Sequence, residues 1–194
     1  MNKTFLTLIF TSALSLSAFS EQANAADYKI DTKGAHASIN FKIKHLGYSW
    51  LTGRFDTFSG DFSYDKNNIA ASKIEVNIDT TSVNSNHAER DKHLKGDDYL
   101  NVDKFSTAKF VSTSVTDKGQ GNLDITGQLS LNGVTKKIVI NATTTGEGTD
   151  PWGGYRVGFS GTTSIALKDF AIEKNLGPAS THVELSLFIE GIKQ

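Results

Sequence analysis

Apolar and polar residues alternate along the stretch 36–45. Ala37, Ile39, Phe41, Ile43 and His45 share one phase, and His36, Ser38, Asn40, Lys42 and Lys44 share the other. A period of two predicts a strand with one dry face and one wet face. After a break at Leu46-Gly47 the chain carries Trp50, Phe55, Phe58, Phe62 and Tyr64, with Gly53 and Gly60 among them. Phe55 is out of phase with Phe58, Phe62 and Tyr64, which predicts a bulge or bend between them. Two long neighbouring strands with large rings and interspersed glycines predict a strongly curved sheet. Such a sheet tends to close on itself with its apolar side inward.

The same alternation recurs down the chain. Tyr28 to Asp31 reads as a short opening strand. Ile74, Val76 and Ile78 form one dry face, and Leu123, Ile125, Leu129 and Leu131 another. Asn132-Gly133 is a hairpin signal, with Ile138 and Ile140 returning along the partner strand. Strands are also expected over 108–116, over 155–167, and through Val183, Leu185, Leu187 and Ile189. About eight main strands with short connections predict an all-β, antiparallel meander closed into a barrel. The exception is the polar stretch 84–96, which reads as one short helix. Asn86 stands as its cap, Glu89 follows three residues later, and Gly96 ends it.

Composition narrows what such a barrel can do. Met1-Asn2-Lys3, an apolar run from Phe5 to about Phe19, and Ala23-x-Ala25 predict a secretory signal peptide over residues 1–25. Cleavage is expected between Ala25 and Ala26, with an uncleaved membrane anchor as the alternative. Residues 26–194 are then one domain of a size that builds its own core. The leader suits export to a bacterial periplasm or beyond. The chain has no cysteine, which excludes disulfides, thiolate metal sites and thiol catalysis. A net charge of −1 argues against nucleic acid as a partner, because no excess of cations is present to displace counterions.

The densest set of functional groups is His87, Glu89, Arg90, Asp91 and His93. Glu89 and His93 are four apart and could both reach a metal, but no third ligand is visible on that face. Arg90 and Asp91 could lock the helix across a barrel mouth by bonding strand ends. Equally, Arg90 or His93 could meet the polar head of a ligand there. His45 continues the inward face, either as a core histidine bonded to backbone or as a sparse polar contact in a lined cavity. No nucleotide loop, serine elbow or zinc-protease pattern is present. Asp150-Pro151-Trp152-Gly153-Gly154 reads as an ordered turn with an aromatic cover. An eight-stranded barrel is at the size where side chains either fill the interior or leave room for one ligand, and composition does not choose. Were it hollow, the candidate lining is Ile39, Phe41, Ile43, Trp50, Phe55, Phe58, Leu94, Phe110, Leu131 and Phe159. Exposed rings near one mouth would suit a homodimer or a transient contact with the inner membrane equally well.

Several motifs, taken in order, resemble the YceI-like family. They are His45-Leu46-Gly47, Gly53-x-Phe55-x-x-Phe58-x-Gly60, the stretch 86–94, Leu131-Asn132-Gly133-Val134-Thr135, Asp150-Pro151-Trp152-Gly153-Gly154 and Leu176-Gly177-Pro178-Ala179-Ser180. Together they span nearly all of 26–194. The resemblance implies a lipocalin-like eight-stranded antiparallel barrel around a long apolar cavity. It implies a periplasmic address and binding of an isoprenoid lipid, such as a quinone or a polyprenyl phosphate, with no other cofactor. Carried over by position, it implies a polar cluster of His45, Arg90, Asp91 and His93 near the mouth. The remaining alternatives are an enzyme acting on such a lipid, with His45, His93 or Asp91 as acid or base, and a packed, stress-responsive structural barrel.

Overall fold

In a computed structural model describing residues 25–174 and 176–194, the alternating segments become the staves of a barrel. The strands are β1 (Ala26–Ile30), β2 (Ser38–His45), β3 (Ser49–Phe55), β4 (Phe58–Tyr64), β5 (Lys73–Asp79) and the two-residue β6 (Val83–Asn84). After helix α1 (Ala88–Lys95) come β7 (Thr107–Gly119), β8 (Asn122–Leu131), β9 (Val134–Thr149), β10 (Tyr155–Ala166) and β11 (His182–Lys193). All pairings are antiparallel. Eight strands run in the order β1-β4-β5-β7-β8-β9-β10-β11, and the β1–β11 pairing closes the ring. The expected signal peptide, residues 1–24 with Ala25 at its end, lies outside the described residues except for Ala25. Strand β1 begins at Ala26, earlier than the expected Tyr28, and it ends at Ile30.

The predicted break between Phe55 and Phe58 has a topological cause. Strand β1 lies beside Gly191–Lys193 of β11, and β2 lies beside Glu184–Phe188 of the same strand. The two are one stave interrupted by the 31–37 turn. Strands β3 and β4 repeat this on the next stave, since β3 pairs β2 and β4 pairs β1. The chain must step at Asp56-Thr57 to follow, and Asp56 N–H is taken by Ser82 C=O at 3.1 Å. At the β8–β9 hairpin, Asn132 and Gly133 have φ of 48° and 76°. Both central residues are left-handed, as a two-residue turn of this twist demands.

Helix α1 is capped by a different residue from the one expected. Asn86 takes a left-handed φ of 60° one step before the cap. His87 is the cap, its Nδ1 accepting Arg90 N–H at 3.2 Å. The turn spanning 150–154 is ordered, with Trp152 lying 5.7 Å from the Arg156 guanidinium. Among the described residues no helix is long and apolar enough to cross a membrane.

Candidate functional site

The inward side chains differ along the barrel axis. Near β1, Tyr28 stacks on Phe62 (5.1 Å between ring centres), and Phe159 meets both Phe62 and Tyr64 edge-on, at 5.8 and 5.3 Å. Gly191 makes this possible: a Cβ there would sit 2.3 Å from the Phe62 ring. Phe62, Tyr64 and Phe159 floor a cavity of about 130 Å³, counted as room for water centres. Its walls are Ile74, Val76, Ile78, Ile125, Ile138, Ile140, Leu185, Leu187 and Ile189, among others. One water needs about 10–15 Å³ on that scale, so the space is far larger than a packing defect.

A second cavity of about 120 Å³ continues it toward the other end. Ile39, Ile78, Leu129 and Leu185 belong to both walls. Here Phe41 and Phe55 form one side, and Leu94, Tyr99 and Leu100 close the top. The bore follows β8 from Leu123 to Leu131, which at normal strand rise and barrel tilt is on the order of 20 Å. The polar side chains on the wall of the deeper cavity are Ser63, Tyr64, Ser72 and Thr163. No carboxylate, histidine, lysine or arginine lines either cavity among the described residues. Burial pushes the Tyr64 phenol up, so it stays neutral.

The expected lining divides three ways. Ile39 faces both cavities, Phe110 and Phe159 face the deeper one, and Phe41, Phe55, Leu94 and Leu131 face the upper one. Ile43 and Phe58 are half-buried but line neither, and Phe58 packs against the ring cluster instead. Trp50 is a correction. It pairs with Lys44 on the outer face, 46% exposed, with the Lys42 and Lys44 ammoniums 4.6 and 5.3 Å from its ring. Directly opposed residues of an antiparallel pair project from the same face, so the ring shares Lys44's wet side.

The expected polar cluster does not converge on the bore. His45 is exposed at the β2 end, and His93 is exposed on α1. Arg90 and Asp91 turn instead to Ser85, which is only 3% exposed. Arg90 Nε donates to Ser85 Oγ at 2.8 Å, and its Nη2 donates to Ser85 C=O at 2.5 Å. Asp91 Oδ1 accepts Ser85 N–H at 2.7 Å and also the Ser85 hydroxyl. These bonds latch α1, and with it Leu94, over the upper cavity. Ser85 was not singled out from sequence. A lone serine carries no periodic signal, although a small polar residue six before an aspartate at a helix start is compatible with such a latch.

A second polar network was also missed. Arg156 donates to Asp31 (2.8 Å), Asp150 (2.7 Å) and Glu190 (2.5 Å), tying the 31–37 and 150–154 turns to β11. His36 joins Asp31 at 3.0 Å. Asp31, His36 and Glu190 could in number hold a cation, but the Arg156 charge already occupies the same carboxylate oxygens.

The YceI-like domain model matches residues 28–191. A UPF0312 protein of Shewanella denitrificans is 65% identical over 171 residues, covering 88% of this chain and 90% of its own length. The Campylobacter jejuni YceI protein is 28% identical with a TM-score of 0.71, covering 78% of this chain and 90% of that one. A domain from Saccharophagus degradans described as polyisoprenoid binding has a TM-score of 0.67 at 19% identity, covering 88% of this chain and 99% of its own.

Proposed function

The chain belongs to the YceI-like domain family, and on that premise we propose that it is an exported, periplasmic binding and carrier protein for one long apolar amphiphile. The ligand class is a polyisoprenoid, whether an isoprenoid quinone or a polyprenyl phosphate, held in the bore. One observation carries the reading. Ile74, Val76, Ile78, Ile125, Ile138, Leu185 and Leu187 face the barrel interior yet are only half-buried. Interior side chains of a finished core touch neighbours on every side; these face open space.

The Saccharophagus degradans domain is described as binding polyisoprenoid, and an aliphatic bore suits the same class here. Burying ten methylenes at about 0.8 kcal/mol each gives about 8 kcal/mol, near micromolar affinity before ordering costs. No strong polar anchor is required. Binding is favoured over catalysis because, among the described residues, no carboxylate, histidine, lysine or arginine lines either cavity. The test is native mass spectrometry of the mature protein taken from its own periplasm. The expected result is an added mass that organic extraction removes and that quinone or polyprenyl phosphate restores. A bare polypeptide mass, unchanged by either addition, overturns the proposal.

A further inference from the structure

We propose that the tip of the β2–β3 hairpin docks on the interface of a lipid bilayer, where the bore exchanges its chain. Strand β11 pairs β2 only as far as Lys42. Beyond it, His45 still pairs Ser49 in β3, so the hairpin stands clear of the barrel wall. On that projection Leu46 is 56%, Tyr48 88% and Trp50 46% exposed. They are the one group of large exposed apolar side chains among the described residues to fall within five consecutive positions; Val111, Val139, Trp152 and Phe188 are scattered.

The tip is braced. Ser180 Oγ donates to Lys44 C=O at 2.5 Å, Gly47 faces Ala179, and Leu46 reaches toward Gly177. An apolar surface held out into water on a braced turn is costly unless something covers it.

Charge selects the cover. From Asn40 to Phe55 the sequence has no Asp or Glu, while Lys42, Lys44 and Arg54 are cationic. Lys42 meets Glu184 at 3.0 Å and Arg54 meets Asp56 at 2.6 Å. Lys44 remains as the cation nearest the tip without a carboxylate partner among the described residues. Aromatic rings with lysines stacked beside them match the headgroup zone, where the ring sits among glycerol and acyl carbons and the ammonium reaches phosphate. Three side chains fall far short of the roughly 20–30 residues per side of a stable dimer, which argues against a second copy. They suit shallow, reversible attachment to anionic lipid. The hairpin's base supplies Phe41 and Phe55 to the upper cavity wall, so a docked tip places that cavity at the membrane. This last step rests on the carrier reading.

The test uses mature W152F protein, in which Trp50 is the sole tryptophan. Flotation and Trp50 emission are followed with vesicles of phosphatidylcholine, with and without one-third phosphatidylglycerol. The expected result is flotation with a blue-shifted emission, stronger on the anionic vesicles. L46E/Y48E lowers the partition at least tenfold, and K44E lowers it severalfold on anionic vesicles only. Binding of a fluorescent polyene chain in vesicle-free buffer stays unchanged in both variants. No flotation on either vesicle, an unchanged partition in L46E/Y48E, or a hairpin-dependent dimer by sedimentation overturns the docking proposal. Failure of the polyene to bind, with flotation intact, overturns the carrier reading alone.

Discussion

At the floor of the barrel Tyr28, Phe62, Tyr64 and Phe159 pack ring on ring, and Val157 beside them is fully buried. Further along the barrel, Val76, Ile125, Ile138 and Leu187 line open space. Both regions come from the same inward alternation. Flat rings reach the barrel axis and stack there. Branched aliphatic chains stop short of it, and eight strands set the wall-to-wall distance. The floor stabilises the fold; the bore leaves volume for something else.

The sharpest way to break that contrast is to truncate one residue in each region of the ligand-free protein. Phe62→Ala removes a stacked, 7% exposed ring and is expected to cost about 3–5 kcal/mol. Ile138→Ala faces the cavity and is half-buried. It is expected to cost less than about 2 kcal/mol, because the atoms it loses have partners on one side only. Urea unfolding measures both. Equal losses would mean that the bore closes when empty.

A smaller effect is expected at the latch. Arg90→Ala leaves Ser85 C=O without its guanidinium donor, at about 1–3 kcal/mol of local stability. Its signature is local: faster amide exchange over residues 84–100 and faster release of a bound chain, with the barrel's own unfolding midpoint nearly unchanged. If release is unaffected, α1 is not the gate, and chains pass elsewhere.

How much of this was legible in the sequence follows from what kind of signal each part leaves. The staves were, because Ile74-Val76-Ile78 and Leu123-Ile125 repeat every second residue. The hairpin at Asn132-Gly133 was, because its turn requires those residue types. The hollow was not. Ile138 reads the same whether its neighbour across the barrel touches it or stands away, since the gap depends on strand count and tilt. Trp50 was misplaced because the Leu46-Gly47 turn and the Asp56-Thr57 step both reset the phase, and aromaticity was read as inwardness. For Arg90 the sequence leaves two uses open, a lock onto strand ends together with Asp91, or a contact to a ligand's polar head shared with His93. What decided between them was Ser85, close in sequence yet invisible as a partner until the chain folds back. The Arg156 network draws on Asp31, Asp150 and Glu190, whose separations no local pattern records.

A last contrast is chemical, because titration touches the outer wall and leaves the bore alone. Asp31 is 6% exposed, yet its carboxyl is held at about 2, against an ordinary value of 3.8. The Arg156 guanidinium is the main cause, helped by Gly34 N–H and His36, with burial opposing. A folded value below the unfolded one means that the unfolded chain binds the proton first. The stabilisation is therefore complete above about pH 4 and drains away as pH falls toward 2. Asp31→Asn lacks it at every pH. The gap in thermal midpoint between wild type and Asp31→Asn should be widest at neutral pH and should close by about pH 2. His36 remains in both proteins, so its contribution cancels in the comparison. Over the same range, chain binding per folded molecule should hold steady, since no carboxylate or histidine lines either cavity among the described residues. A binding constant that fell in step with the midpoint would instead place a carboxylate in contact with the ligand, and the Arg156 network would have to be reconsidered as part of the site.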